Sequence, residues 1–165
     1  RLKYRPAQGF CLMALVDAEP EGGFGLLQTD RSPKPAYRAV TDSCRPVIVA
    51  ADPLPSIVTP GRQIQMDVHA VNDLHRPLPQ AIVTATATVG EWQSRTTWQG
   101  DLSADSVEIV GTFTFVVPSI HDVLAVTIEL QSEGETDSDH VVASNRYQSV
   151  VIPPAEDTAA QPVRS

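Results

Sequence analysis

The feature that most constrains the fold is a change of hydrophobic period near Arg45-Pro46. After this point apolar and polar residues alternate, first over 63–70 and then in further segments separated by turn signals. A period of two is typical of strands with one buried face. With a short first strand at 47–50, the pattern predicts about seven strands. We therefore expect a mainly β fold, with an immunoglobulin-like antiparallel β-sandwich over residues 46–152. The alternating segments are 63–70, 81–88, 92–98, 107–115, 124–130 and 140–152.

A different pattern precedes the division. The run 10–16 is apolar without alternation, which is typical of a parallel strand buried on both faces. Ser32 is placed to cap a following helix, with Pro33 at its first position, where a missing N–H does no harm. Residues 1–45 are thus predicted to be the last strand-helix unit of a truncated α/β domain. Residues 153–165 are expected to form a flexible tail.

Composition limits the partners of the chain. The net charge of -8 argues against nucleic acid and against anionic membranes, which attract basic surfaces. No apolar run is long enough to span a bilayer. The four histidines lack metal-ligand spacing, so neither a metal nor a cofactor is expected. Because the chain starts at Arg1 without an initiator methionine, we expect it to be the C-terminal part of a larger protein.

Two cysteines lie outside the β region. Cys11 falls in the apolar run and Cys44 on the apolar stripe of the predicted helix. Two thiols do not make a disulfide framework. We expect both to be free and buried, in a reducing and hence cytoplasmic compartment.

A series of short motifs runs along the chain. It comprises Gly9, Asp17, Pro20, 25–30, 31–37, Val71-Asn72-Asp73, Pro77-Leu78 and 143–147. Taken in order, these motifs resemble the C-terminal region of family-2 glycoside hydrolases of the β-mannosidase-like branch. In that family the last barrel strand, its loop and the start of the following helix carry a series of glycine, aspartate, proline and aromatic positions, and the closing strand of the sandwich has an A-x-N-x-Y pattern. The resemblance implies that residues 1–45 are the last β/α unit of a truncated (β/α)8 TIM barrel.

The resemblance implies a non-catalytic accessory module that buttresses the catalytic barrel of a retaining glycosidase. That mechanism needs a pair of glutamates, which the family carries upstream of this region, so this fragment would not be an enzyme. Asp17 and Glu19 follow the strand at the end where barrels place their active sites, which makes them candidates for the rim of a sugar pocket. Met13 occupies the position at which the family has a tryptophan that forms the bottom of the sugar pocket. The alternatives are a turn hydrogen bond for Asp17 and a solvated charge for Glu19.

Other residue groups leave further functions open. Trp92 and Trp98 share a strand face and could stack on a carbohydrate, or could cap the core. A nucleophile set of Ser119, His121 and Asp122 lacks triad geometry, since neighbours in sequence cannot surround one reacting atom. The acidic run 133–139 indicates a solvated loop, and calcium binding is an alternative.

The alternative functions are a stand-alone carbohydrate-binding module and a structural, adhesion-type β-sandwich. Either way, the strand at 10–16 lacks neighbours within the chain. It should open locally or pair with a second copy to give a dimer.

Overall fold

The computed structural model describes residues 10–19, 22–132 and 141–153. The predicted features at 133–139 and in the tail beyond 153 lie outside these residues. The elements are β1 (Ala14–Val16), β2 (Gly25–Leu27), α1 (Pro35–Ser43), β3 (Val47–Ala51), β4 (Ile57–Val58), β5 (Gln63–Asn72), β6 (Leu78–Val89), β7 (Trp92–Leu102), β8 (Ser106–Val116), β9 (Val123–Gln131) and β10 (Val141–Val151).

Strands β3 to β10 form two sheets that face each other as a sandwich. One sheet has the order β4-β10-β9-β6-β7, and the other has the order β3-β5-β8. All neighbours within them are antiparallel except β4 and β10. The predicted mainly β, sandwich-like fold is confirmed. Strand β4 was not predicted, because two residues are too few to show an alternation of apolar and polar positions.

Inward-facing apolar side chains fill the space between the two sheets. Phe113 of β8, Met66 of β5 and Leu124 of β9 are among the fully buried large side chains. The buried positions follow the period-two pattern of the sequence, so each strand contributes alternate residues to one continuous core. Burial of this apolar area is the main stabilising term of the sandwich.

Strand β3 is tied to the opposite sheet by two side chains of β10. The hydroxyl of Tyr147 accepts a hydrogen bond from the Ala51 N–H at 2.8 Å and donates to the Ala51 carbonyl at 3.3 Å. The side-chain amide of Asn145 donates to the Val49 carbonyl at 3.2 Å and to the Tyr147 hydroxyl at 3.1 Å. Burial of the hydroxyl raises the pKa of Tyr147. These bonds close the seam between the sheets along β3.

The N-terminal part differs from the sequence prediction. Strand β1 covers only Ala14–Val16 and pairs in parallel with β2. The apolar run is not buried on both faces: Phe10 is 69%, Met13 81% and Leu15 60% exposed. The prediction of burial assumed a strand on each side and covering helices, and among the described strands only β2 flanks β1. A TIM-barrel remnant is therefore not shown, and the domain boundary near Arg45-Pro46 stays a prediction.

The helix also departs from the prediction. It begins at Pro35 with Lys34 as N-cap, and not at Pro33 after a Ser32 cap. Ser32 instead bonds the Asp30 carboxylate through its hydroxyl at 2.6 Å. No residue of α1 is buried, so the predicted apolar stripe remains open to solvent. In the described part of the chain no helix has the length and apolar character needed to cross a membrane.

The cysteine prediction is half right. Cys11 and Cys44 are free, as predicted, but both are exposed. The prediction that they are buried was wrong for the same reason as the predicted burial of the apolar run 10–16 and of the helix stripe. The elements that carry them have their apolar faces uncovered.

Candidate functional site

Asp17 directly follows β1, and its side chain organises the N-terminal unit. The carboxylate is buried and accepts a hydrogen bond from the Gly25 N–H at 2.7 Å. It also forms an ion pair with Lys34 at the helix N-terminus. The Lys34 ammonium in turn donates to the Gly23 carbonyl at 3.1 Å. One carboxylate thus joins β1, the loop before β2 and the start of α1.

Two glycines make room for this carboxylate. A Cβ atom on Gly23 would lie 2.7 Å from the Asp17 Oδ1, and one on Gly25 would lie 2.6 Å from the Asp17 backbone nitrogen. Both separations are shorter than a van der Waals contact allows. A larger residue at either position would push the carboxylate away from its partners, so the glycines belong to the same cluster.

The environment keeps Asp17 ionised. The hydrogen bond from Lys34 is the largest cause that lowers the pKa of Asp17 below the ordinary value of 3.8, and the Gly25 N–H adds to it, while desolvation opposes both. A carboxylate with a lowered pKa does not act as a general acid near neutral pH. The geometry suits a structural ion pair better than proton transfer.

Removing the cation should loosen the N-terminal unit. In the variant Lys34→Met, Asp17 stays buried without its counter-ion, so we expect faster hydrogen exchange at the amides of β1 and β2, and unchanged exchange in β8. The variant Arg38→Met is the matched control, since Arg38 is exposed on the same helix. Equal effects of the two variants would contradict a structural role for the ion pair.

Acid should have the same effect on the parent chain. Because the pKa of Asp17 is lower in the folded than in the unfolded chain, the stabilisation is present above about pH 4 and is lost as the pH falls through the lowered folded pKa. Exchange in β1 and β2, corrected for the intrinsic pH dependence, should accelerate over that range. In Lys34→Met this acceleration should shrink.

The other predicted rim residues do not join the ion pair. Glu19 and Met13 are both exposed, and Met13 belongs to a group of five exposed large apolar residues among the described positions between 10 and 24. We call this group the N-terminal apolar surface. Its members are Phe10, Leu12, Met13, Leu15 and Phe24. Binding of a substrate by Asp17, Glu19 or Met13 stays a prediction.

The two tryptophans lie on the inner side of β7. Trp92 packs near Phe115, with ring centroids 6.1 Å apart. Trp98 lies over Gly111 of β8, where a Cβ atom would overlap the indole. Both side chains are half-buried and pack against the core. This placement matches the core-capping alternative, and sugar stacking stays a prediction.

A cleft of about 670 Å³ lies between the end of α1, β3 and the strands β9 and β10. Three arginines line it, and two of them form ion pairs with Asp42. The carboxylate of Asp42 lies 2.9 Å from Arg45 and 3.8 Å from Arg38. Glu129 faces the same cleft as Arg146. Within the described residues no three of His, Cys, Asp and Glu lie together as a metal site would require.

No family model and no curated protein matches this chain. Among solved structures it is similar to the CARDB domain of a Pyrococcus furiosus protein, determined in complex with di-metal ions, at 14% identity and a TM-score of 0.47; 66% of this chain and 92% of that one are covered. The sporulation control protein Spo0M of Bacillus subtilis shares 15% identity at 0.42, with 65% and 49% covered. The curli protein CsgC of E. coli shares 10% at 0.40, with 61% and 97% covered.

These findings correct the resemblance drawn from the sequence. The neighbours are small β folds and not C-terminal domains of family-2 glycoside hydrolases. The assignment to that family, and with it a role in carbohydrate metabolism, is wrong. The motifs misled because glycine, aspartate and proline recur in many strand-loop-helix connections for reasons of backbone geometry alone.

Sequence reasoning missed the residues that act with Asp17. Lys34 and Gly25 were noted only as members of the matching segments 31–37 and 25–30, and Gly23 was not singled out. The run Ser32-Pro33-Lys34-Pro35 did carry a signal, because a lysine just before a helix opposes the helix dipole and calls for a nearby anion.

Proposed function

We propose that the chain is a structural, adhesion-type β-sandwich without catalytic function, which associates with a second copy of itself through the N-terminal apolar surface. The observation that carries the proposal is the exposure of these residues beside a strand edge that no described strand pairs. Met13 and Phe24 are each 81% exposed, far more than is usual for such large apolar residues.

The strand edge supports a two-fold arrangement. Within the described residues β1 pairs only with β2, while the far side of β2 is occupied, since Lys34 donates its N–H to the Leu26 carbonyl at 3.0 Å. The outer edge of β1 is therefore not paired with any described strand, and it offers backbone N–H and C=O groups to another chain. Two copies can pair these edges in antiparallel fashion around Leu15, which satisfies the same groups in both chains.

The exposed apolar area is a substantial part of what a dimer needs. The two phenylalanines of the N-terminal apolar surface are 69% and 81% exposed, and a phenylalanine buries roughly 150–250 Å² when it is fully covered. A standard interface buries about 800 Å² per partner, and pairing of the β1 edges would add backbone area.

Charge does not oppose association at this place. The carboxylate of Asp17, the residue next to the strand, is already neutralised by Lys34. Burial of the surface would therefore desolvate no unpaired charge of this cluster. The net charge of -8 slows association at low ionic strength, so moderate salt should strengthen the dimer.

Sedimentation equilibrium tests the proposal. We expect the parent chain to dimerise. Leu15→Glu should weaken the dimer at least about 100-fold, because two carboxylates, one from each copy, would face each other or hydrocarbon at its centre. Ile109→Glu is the control, since Ile109 is a similarly exposed apolar residue on β8 (63%). A parent chain that stays monomeric at all concentrations, or equal loss of the dimer in both variants, would contradict the proposal.

A further inference from the structure

The sandwich has four sheet edges, and three of them are protected against further strands. Strand β4 has only two residues. The backbone of β3 is capped at Val49 and Ala51 by the side chains of β10. Strand β8 is interrupted by a bulge opposite Val68 and His69. Short strands, side-chain caps and bulges are the usual devices that prevent edge pairing.

Strand β7 is the fourth edge, and it has no such protection over most of its length. It runs for 11 residues, contains neither proline nor lysine, carries one exposed arginine (Arg95), and among the described strands pairs only with β6. Its irregularity is confined to the end, where the register shifts opposite Leu78 and Ala81. The free backbone groups of this edge can accept a further strand.

A pocket of about 210 Å³ opens beside this edge, in the seam between β7 and β8. Its lining includes the buried side chains of Ala81, Val83 and Leu102, together with Trp98. Since a liquid water molecule occupies about 30 Å³, this volume is enough for one aliphatic side chain.

The same pocket is acidic. Asp101 and Glu108 line it, and no lysine or arginine does. The Ser103 N–H bonds the Glu108 carboxylate at 3.0 Å and lowers the pKa of Glu108, so this group is ionised at neutral pH. The Gln80 N–H bonds the Asp101 carboxylate at 2.8 Å. Both carboxylates are held in place, and a cation would complement them.

We propose that β7 binds an extended peptide segment of a partner protein by strand addition, with one aliphatic side chain in the pocket beside Trp98 and a lysine or arginine facing Asp101 and Glu108. This interaction goes beyond the proposed dimer and uses a different sheet edge. A second copy of β7 is the poorer occupant, because it would bring an identical pair of carboxylates to the same seam. A basic peptide neutralises them.

Binding can be followed by the fluorescence of Trp98. The chain has two tryptophans, so the variant Trp92→Phe leaves Trp98 as the sole reporter. The probe is the peptide Ac-Thr-Lys-Val-Leu-Val-Lys-Thr-NH2. We expect a saturable change with this peptide and at least a tenfold weaker response when glutamate replaces both lysines or aspartate replaces the leucine. Glu108→Gln should weaken binding of the basic peptide severalfold.

Backbone methylation tests strand addition itself. Alternate amides of an extended peptide point to opposite sides, so only one alternate set can bond β7. Of two peptides N-methylated on the two alternate sets, one should lose binding and the other keep it. Equal affinity of both methylated peptides, equal affinity of the basic and acidic peptides, or no saturation up to millimolar concentration would overturn the proposal.

The dimer-deficient variant Leu15→Glu separates this inference from the proposed function. It should bind the peptide as the parent chain does, whatever the outcome for the dimer. If Leu15→Glu instead remains dimeric and the peptide cannot bind, a second copy occupies β7 and the inference is overturned.

Discussion

Replacing Asn72 with leucine should lower the free energy of unfolding by about 3 kcal/mol or more. Asn72 is completely buried at the end of β5, and its side chain makes three hydrogen bonds to backbone groups. The amide donates to the carbonyls of Arg76 and Ser103, each at 2.9 Å, and the oxygen accepts from the Leu74 N–H at 3.1 Å. Leucine fills a similar volume but leaves these partners without their bonds. Urea unfolding followed by circular dichroism measures the loss.

The control for this prediction is Gln65→Leu, an exposed position on the same strand, which should change stability by less than about 0.5 kcal/mol. Asn72→Asp is a more specific probe. It keeps the acceptor for Leu74 but turns a carboxylate toward two carbonyl oxygens, so it should be unstable at pH 7 and recover partly in acid, where the protonated group can donate again. Stability within 1 kcal/mol of the parent for Asn72→Leu would contradict the role assigned to the three bonds.

Adding a single methyl group at Gly111 should also be costly, by about 2–3 kcal/mol. The new Cβ would overlap the indole of Trp98, which must then leave its place between β7 and β8. Tryptophan emission should shift to longer wavelength as the ring becomes hydrated. The measurement combines urea unfolding of Gly111→Ala with its emission spectrum in Trp92→Phe, where Trp98 alone reports.

Gly100→Ala is the matched control, because a Cβ at Gly100 meets nothing within 4 Å. A double-mutant cycle with Trp98→Ala tests the cause directly. If overlap with the ring is the reason for the loss, Gly111→Ala should be far less harmful when the indole is absent, and the two changes should not add. Additive effects would mean that Gly111 is required for its backbone conformation and not for the space that it leaves for the indole of Trp98.

The sandwich could be predicted because the alternation of apolar and polar residues along its strands follows the alternation of buried and exposed side chains. In β5 the buried residues Ile64, Met66 and Val68 alternate with exposed or half-buried ones, as the period of two requires. The two tryptophans were placed on one face of β7, as the structure has them. The alternation could not show how deeply an individual polar residue is buried. Asn72 was noted as part of the family resemblance, yet it is fully buried and its side chain bonds the backbone of Leu74 and Ser103 in two different turns.

The N-terminal part could not be predicted in the same way. A continuous apolar run indicates burial but does not say what covers it. The run around Leu15 was interpreted as buried on both faces, and in this chain it is exposed. Motif spacing was no better a guide, since the series around Asp17 pointed to a sugar pocket. The contacts of Asp17 are an ion pair to Lys34 and a backbone N–H, and neither could be read from a period.

Hydrogen exchange of the β1 amides at several protein concentrations is the most direct test of the central claim, that the N-terminal apolar surface joins two copies. Strand β1 is three residues long and one of its edges is paired with no described strand, so it should exchange rapidly in the dilute monomer. We predict that protection at Ala14–Val16 rises with protein concentration and follows the dimer fraction, while protection at Ser106–Val116 stays constant. Protection of Ala14–Val16 that does not change with concentration would contradict the claim.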